Sequence, residues 1–175
     1  MKRYLIATAF ALATVSADCR PSVRMLLLKG VSEAGFTFFT NLQSRKGSEL
    51  AQNKAVAMCF HWAPLELQVR VEGFVTPVSS AEADEYFNSR ARDSRIGAWA
   101  SDQSRPIAQE GDLERRFNKL REEFGDGAVP RPPHWSGFAL APDRIEFWEG
   151  KPFRLHHRLV YERRESGWHT QILYP

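Results

Sequence analysis

The chain has 175 residues, the size of one domain, and its 43% hydrophobic and 26% charged residues are typical of a globular protein with a substantial core. Its formal net charge of +3 is too small to indicate a nucleic-acid partner, but it suits a few cationic pockets for small phosphorylated ligands. The two cysteines, Cys19 and Cys59, give neither a disulfide framework nor metal-ligand spacing. We therefore expect free thiols, no metal and a cytoplasmic location.

The N-terminal segment has two interpretations. Met1-Lys2-Arg3 and the apolar run from Tyr4 to Val15 resemble a short signal peptide. The alternative is a buried strand from Ala9 to Ser16, followed by a turn at Asp18-Cys19-Arg20-Pro21. We favour the strand because the next segment continues as its hairpin partner. The run is also too short to span a bilayer, so we expect an uncleaved N-terminus and no membrane association.

Most of the remaining chain is predicted to be β-structure. Val23 to Val31 is predicted as one strand, with a turn at Ser32-Glu33-Ala34-Gly35 before the next. The other predicted strands are Phe36–Thr40, Val56–Trp62, Leu65–Val78, Gly137–Trp148, Arg158–Arg163 and Trp168–Leu173. Within Leu65–Val78, alternation places Leu67, Val69 and Val71 on one face and Gln68, Arg70 and Glu72 on the other.

Helices are predicted in the middle of the chain. Ser44 can cap a helix from Arg45 to about Gln52, and Ser79 and Glu82 have capping-box spacing before 83–87. Leu113, Phe117, Leu120 and Phe124 recur at helical spacing, which predicts a helix with one buried face. Val129–Pro133 is a stiff connector rather than a domain boundary. Many antiparallel strands with a few helices predict a β-barrel with accessory helices, in one domain covering 1–175.

Two groups of cations suit phosphate recognition. Arg24 and Lys29 lie five residues apart, so they face opposite sides of a regular strand and could serve two anions. Ser44-Arg45-Lys46-Gly47 opens a helix, where free N–H groups and the positive dipole end bind phosphate. The alternative for each group is solvated surface charge with an ordinary helix cap.

Tyr86, Arg90 and Ser94 form a further candidate anion site. Tyr86 and Arg90 are four residues apart and are expected to share a helix face. Two hydroxyls and a guanidinium can hold a phosphate dianion through charge-assisted hydrogen bonds. The alternative is that Arg90 only complements the dipole at a helix C-terminus.

Arg154-Leu155-His156-His157-Arg158 is the densest polar cluster in the chain. In an extended segment, Arg154, His156 and Arg158 would lie on one side, without the carboxylate or cysteine that a metal site needs. The alternative is an exposed basic edge strand, and nearby Trp148 taken alone is more typical of a core. The chain has no GxSxG, P-loop or GxGxxG motif, which argues against hydrolase, kinase and Rossmann enzymes. An enzyme of this kind would take its reactivity from a bound cofactor.

Taken together, these segments resemble the pyridoxamine 5′-phosphate oxidase family over about Ala9 to Pro175. The most specific stretches are Arg24-Met25-Leu26-Leu27-Leu28-Lys29, Phe39-Thr40-Asn41 with Ser44-Arg45-Lys46, Gln68-Val69-Arg70-Val71-Glu72-Gly73, Tyr86-Phe87-Asn88-Ser89-Arg90, Ser94-Arg95-Ile96-Gly97-Ala98, Gln103-Ser104, Glu146-Phe147-Trp148 and Arg154-Leu155-His156. Each stretch is weak alone, and their order without large gaps is what identifies the family.

The resemblance implies a split β-barrel that binds flavin mononucleotide (FMN), works as a homodimer and holds the flavin between subunits. It implies oxidation of pyridoxamine or pyridoxine 5′-phosphate to pyridoxal 5′-phosphate, with oxygen reduced to hydrogen peroxide. The implied FMN contacts are Arg24, Met25, Leu26, Leu27, Leu28, Lys29, Phe39, Thr40, Arg45, Lys46, Gln68, Gln103, Ser104, Trp148 and Arg158. The implied substrate contacts are Lys29, Tyr86, Arg90, Ser94, Arg154 and His156, of which Arg154 and His156 position the reacting carbon over the flavin. Neither is assigned as an obligatory base.

The chain departs from the family pattern in three places. Family members usually carry an N-terminal extension that partly covers the substrate, whereas this chain starts almost at the first strand. His157 stands where the family often has aspartate, and Ile172 stands where an arginine usually precedes the Leu-x-Pro ending. Two alternatives therefore remain: a related flavin oxidase of another ring, as in phenazine biosynthesis, and a non-catalytic protein that binds FMN or pyridoxal phosphate.

Overall fold

The protein is described here by a computed structural model that covers residues 8–175. The Met1-Lys2-Arg3 segment, on which the signal-peptide interpretation depends, lies outside the described residues. The strands are β1 (Ala9–Val15), β2 (Pro21–Leu27), β3 (Gly30–Ser32), β4 (Gly35–Asn41), β5 (Ala55–Trp62), β6 (Leu67–Pro77), β7 (Trp135–Glu149), β8 (His157–Arg164) and β9 (Gly167–Leu173). The helices are α1 (Arg45–Gln52), α2 (Ser80–Ser89), α3 (Arg92–Ala100) and α4 (Asp112–Phe124).

The nine strands form one sheet, which confirms the predicted mainly β class with accessory helices. The order is β2-β1-β5-β6-β7-β4-β3, and β8 pairs with both β7 and β9. In β1, Phe10, Leu12 and Thr14 are buried and alternate with more exposed neighbours, as expected of a strand with one face in a core. None of the helices within 8–175 is both long enough and apolar enough to cross a membrane.

The contacts divide the chain into two compact units. The first contains the residues up to Phe38, Glu49–Thr76 and Phe138–Pro175, and its core includes the rings of Phe10, Phe38 and Phe60. The second contains Phe39–Ser48 and Pro77–Gly137, with Phe87, Ile96 and Trp135 buried. The single domain over 1–175 stays a prediction.

The turn predicted at Ser32 to Gly35 is confirmed, and only glycine fits at its end. Gly35 has φ of 113°, and a Cβ there would lie 1.9 Å from the backbone oxygen of Leu140. The strand predicted from Val23 to Val31 is wrong as a single element, because it breaks between β2 and β3. The Lys29 N–H instead donates to the Thr37 carbonyl at 2.9 Å. Arg24 and Lys29 therefore do not share one regular strand.

Three other local predictions are also wrong in part. Helix α2 ends at Ser89, and Arg90 follows in an extended conformation, so it does not share a helix face with Tyr86. Helix α4 forms as predicted, but none of its residues is fully buried. The segment before β8 is not extended, since Pro152–Arg154 form a 3-10 turn in which Phe153 and Arg154 have positive φ.

Candidate functional site

The start of helix α1 organises the first group of candidate residues. Ser44 Oγ accepts from the Gly47 N–H at 3.3 Å, which confirms Ser44 as the cap. Lys46 is only 6% exposed, and its Nζ donates to Ser44 Oγ at 3.2 Å and to Gln103 Oε1 at 2.8 Å. The structure therefore brings together Lys46 and Gln103, two candidate residues that are far apart in the sequence.

The residues around this lysine have features of a ligand site. Thr40 Oγ1 is buried and has no hydrogen-bond partner among the described residues. Burying a hydroxyl in this way costs free energy unless a ligand pairs with it. Gln103 and Ser104 line a cavity of about 450 Å³ between α3 and α4, and Ser104 has φ of 72°. Arg45, at the start of α1, is exposed.

Arg90 has an unusual environment for a cation. Its guanidinium carbon lies 5.0 Å from the ring centroid of Trp135 and 5.6 Å from that of Phe87. Its Nη1 is buried and has no hydrogen-bond partner within 8–175. Burial lowers the pKa of Arg90, and the nearby Tyr86 opposes that shift, but arginine remains charged at neutral pH. Arg90 is therefore a partly desolvated positive charge whose Nη1 finds no acceptor in the part of the chain that the structure describes.

Aromatic stacking links Arg90 to two other candidate residues. Phe39 stacks on Tyr86 with ring centroids 4.2 Å apart and on Trp135 at 5.3 Å. Ser94 lies on α3, the helix after Arg90, and is exposed. The sequence interpretation did not select Trp135. The only local feature of this residue is its position after the proline-rich connector.

In the first unit, Arg24 is held by a buried carboxylate. One of its terminal nitrogens donates to the Leu12 carbonyl and to Thr14 Oγ1, and the other donates to Ser22 Oγ and lies 3.2 Å from Glu49 Oε2. Glu49 is 4% exposed and also accepts from Thr14 and Ser22. This network fixes the guanidinium of Arg24 in place.

Arg158 belongs to a second carboxylate cluster in the same unit. Its Nε donates to Glu146 Oε1 at 2.9 Å and its Nη2 to Oε2 at 3.1 Å, a bidentate pair. Arg70 and Arg144 also contact Glu146, at 2.8 and 3.0 Å. Burial alone would raise the pKa of Glu146, but hydrogen bonds from Arg158 and Arg144 and the charge of Arg70 outweigh it and lower that pKa.

Two further candidates, Gln68 and Trp148, line a largely apolar cavity of about 420 Å³ in the first unit. The rings of Trp148 and His156 lie 4.8 Å apart. His156 Nδ1 accepts the Lys151 N–H at 3.1 Å, so in the neutral ring the proton sits on Nε2, which can donate. The sequence pattern did not show that backbone contact.

The other candidates lie at the surface or along β2. Arg154 is exposed in its 3-10 turn, and Lys29 is exposed after β2. Met25 is 65% exposed, whereas Leu26, Leu27 and Leu28 are partly buried. Within 8–175, no three His, Cys, Asp or Glu side chains are grouped to hold a metal ion, and both cysteines are free.

Comparison with known families gives two matches that together cover residues 6–175. The family model described as "Pyridoxamine 5′-phosphate oxidase" matches residues 6–148. The model described as "Pyridoxine 5′-phosphate oxidase C-terminal dimerisation region" matches residues 135–175.

Two curated relatives are named pyridoxine/pyridoxamine 5′-phosphate oxidase. The one from Rhodospirillum rubrum is 59% identical over 95% of this chain and 86% of its own length. The one from Gluconobacter oxydans is 56% identical over 95% of this chain and 84% of its own. Among solved structures, PhzG from Burkholderia lata in complex with tetrahydrophenazine-1-carboxylic acid superposes with a TM-score of 0.92 at 31% identity. The aligned region covers 99% of this chain and 90% of that one.

Proposed function

The chain belongs to the pyridoxamine 5′-phosphate oxidase family, and we propose that it oxidises pyridoxamine or pyridoxine 5′-phosphate to pyridoxal 5′-phosphate with FMN and oxygen. The sheet has the split-barrel fold of this family, in agreement with the superposed structure. The observation that carries the proposal is Arg90, a half-buried, charged guanidinium whose Nη1 is buried and has no hydrogen-bond partner among the described residues. A phosphate dianion supplies the missing acceptor and the opposite charge.

Residues of the second unit fit FMN. The buried Lys46 supplies a cation beside the N-terminus of α1, and Thr40 Oγ1 is a buried hydroxyl without a partner among the described residues. The Gln103 side chain is already oriented by Lys46. We assign flavin contacts to these three residues and to Arg24, Met25, Leu26, Leu27, Leu28, Lys29, Phe39, Arg45, Gln68, Ser104, Trp148 and Arg158.

FMN held by these residues would supply the redox chemistry, namely uptake of a hydride from the C4′ carbon of the substrate and reduction of oxygen to hydrogen peroxide. The amine substrate thereby becomes an imine, which water hydrolyses to the aldehyde and ammonia. No side chain has to supply the redox chemistry, so the protein acts through orientation and electrostatics.

The substrate residues have distinct roles in this proposal. Lys29, Tyr86, Arg90 and Ser94 bind the phosphate. Arg154 and His156 position the pyridine ring, and the Nε2–H that the Lys151 contact leaves on neutral His156 can donate to the hydroxyl oxygen attached to that ring. Neither residue is required as a base at the carbon, because a hydride rather than a proton leaves it, and the proton that the hydroxyl or amino group loses passes to water.

Assembly follows from the C-terminal match. Residues 135–175 correspond to a dimerisation region, and we propose a homodimer that holds FMN between its subunits. The outer face of this region carries exposed apolar side chains, among them Phe147 at 45% and Ile172 at 69%. Two free cysteines agree with a cytoplasmic protein.

The superposed PhzG structure favours a second candidate, oxidation of a tricyclic ring that carries a carboxylate. The two candidates differ in the anion that the substrate presents. The purified protein should be yellow, release FMN on denaturation and form peroxide with pyridoxine 5′-phosphate at a rate far above that with unphosphorylated pyridoxine. Colourless protein that takes up no FMN refutes the proposal. Turnover of tetrahydrophenazine-1-carboxylic acid without turnover of pyridoxine 5′-phosphate selects the second candidate.

A further inference from the structure

Arg90 differs from the other buried or half-buried candidate arginines in what surrounds it. Arg24 and Arg158 each contact a buried carboxylate, Glu49 and Glu146 respectively. For Arg90, the structure records in the described residues two aromatic rings and no carboxylate contact. A ring face attracts a guanidinium through its quadrupole, yet it accepts no conventional hydrogen bond from the terminal N–H groups.

We propose that Trp135, assisted by Phe87, is a positioning residue that holds the Arg90 guanidinium in place while leaving its Nη1 donors for the phosphate of the substrate. This inference rests on the proposed function, because it assigns Arg90 to a phosphorylated substrate. It adds a residue whose role is exerted through Arg90.

The geometry around Trp135 supports a fixed ring. Trp135 is only 7% exposed, and its backbone N–H donates to the Pro132 carbonyl at 3.0 Å. Its carbonyl accepts from Arg131 at 2.8 Å, and Arg131 is also paired with Asp84 at 2.6 Å. Because the backbone N–H and carbonyl of Trp135 are both hydrogen-bonded, its ring presents a stable face to the guanidinium of Arg90.

The Trp135 ring also aligns Tyr86, the second residue that we assign to the substrate phosphate. Trp135 and Tyr86 lie nearly parallel, at 12° with ring centroids 6.1 Å apart, and Phe39 stacks on both. Phe87 meets Trp135 edge to face at 5.0 Å, and its carbonyl accepts the Arg90 N–H at 3.2 Å. Removing the indole therefore loosens a hydroxyl and a guanidinium that serve one anion.

The test uses FMN-loaded protein and isothermal titration with pyridoxal 5′-phosphate and with pyridoxal, which lacks the phosphate. Trp135→Leu should weaken pyridoxal 5′-phosphate binding about tenfold, within the range of a desolvated cation–π contact, and leave pyridoxal binding unchanged. Trp135→Phe, which keeps a ring face, should lose about threefold. The dissociation constant of inorganic phosphate should rise by a similar factor in Trp135→Leu relative to the wild type.

Trp99→Leu is the matched control, because Trp99 is a partly buried tryptophan of the same unit that packs on Phe124 and His134 instead. It should leave both affinities unchanged at a temperature where circular dichroism shows every variant folded. If Trp135→Leu does not fold, Phe87→Leu replaces it, with an expected loss of about threefold for the phosphorylated ligand.

Equal weakening of both ligands, or no weakening of either, overturns the positioning role. The failure of the proposed function looks different. If the wild type binds pyridoxal 5′-phosphate more tightly than pyridoxal but makes no peroxide, the oxidase assignment is wrong. The comparison of the Trp135 variants then still tests the positioning role. A wild type that binds both ligands equally has no phosphate site at Arg90, and the positioning role falls with it.

Discussion

Replacing Glu146 with glutamine should destabilise the protein strongly although the two side chains have the same shape. Glu146 is 1% exposed at its side chain and accepts hydrogen bonds or ion pairs from Arg70, Arg144 and Arg158 at 2.8 to 3.1 Å. Glutamine removes the negative charge and directs an NH₂ group at one or more guanidinium groups. Three cations would then share the site without their central anion.

The size of the effect follows from burial and from the remaining partners. Removing one member of a buried ion pair costs roughly 3–5 kcal/mol. Here the three arginine side chains are 22–39% exposed, and Arg144 also contacts Glu72 at 3.0 Å, so water and a second carboxylate offset part of the loss. We expect Glu146→Gln to lower the free energy of unfolding by about 3 kcal/mol at pH 7.

The pH dependence gives a second signature. The pKa of Glu146 is lowered in the folded protein, so its charge stabilises the fold above the unfolded pKa of about 4.3. That contribution is lost as the pH falls through the folded value. The difference between wild type and Glu146→Gln should therefore be full at pH 7 and shrink steadily below about pH 4.3.

Urea denaturation followed by circular dichroism, at one fixed protein concentration, measures both effects. Glu162→Gln is the matched control, because Glu162 is 34% exposed and lies 3.7 Å from Arg144 in the same cluster. Its loss should stay below about 1 kcal/mol. The reasoning fails if the free energy of unfolding of Glu146→Gln lies within about 1 kcal/mol of the wild-type value at pH 7, or if its deficit is the same at pH 7 and at about pH 3, well below the unfolded pKa.

Two further outcomes test the anion sites and the sheet. Arg90→Ala should raise KM for pyridoxine 5′-phosphate roughly ten- to hundredfold and leave FMN affinity unchanged, whereas Arg45→Ala should weaken FMN first, as measured by flavin fluorescence. Loss of flavin from Arg90→Ala with an unchanged KM would mean that the substrate site is misplaced. Gly35→Ala should lower the melting temperature by more than 5 °C or abolish folding, because its Cβ would meet the Leu140 oxygen at 1.9 Å. A melting temperature equal to that of the wild type would contradict this reading of Gly35.

The strands could be predicted because their signal is local. Short apolar runs predict β1, β4 and β5 to within a residue or two, and Ser44 predicts the start of α1. The break at Leu28-Lys29 could not be found in the same way, because the apolar run continues through it. The end of α2 before Arg90 has no glycine or proline nearby, so only the packing on Phe87 and Trp135 decides it.

The sequence predicted which residues belong to the candidate site, but it did not predict which residues contact one another. Arg158 was selected as a cation, but its bidentate pairing with Glu146 joins residues on two neighbouring strands. Lys46 and Gln103 lie 57 positions apart in the sequence, and no local pattern around either residue predicts their contact. Trp135 was missed altogether, because its role depends on Tyr86 and Arg90 lying against its ring.

The proposed assignments account for the contrasting partners of the arginines, because the cofactor and the substrate phosphate have different roles. In the proposed assignment Arg24 and Arg158 bind the cofactor, which stays bound and gains from cations that carboxylates such as Glu49 and Glu146 hold rigidly. A substrate and product must exchange at every turnover, and a carboxylate on Arg90 would compete with the phosphate for the same N–H groups. Aromatic rings stabilise the cation without occupying those donors. Arg90 can therefore be held in place before the substrate arrives and still present its Nη1 to the incoming phosphate.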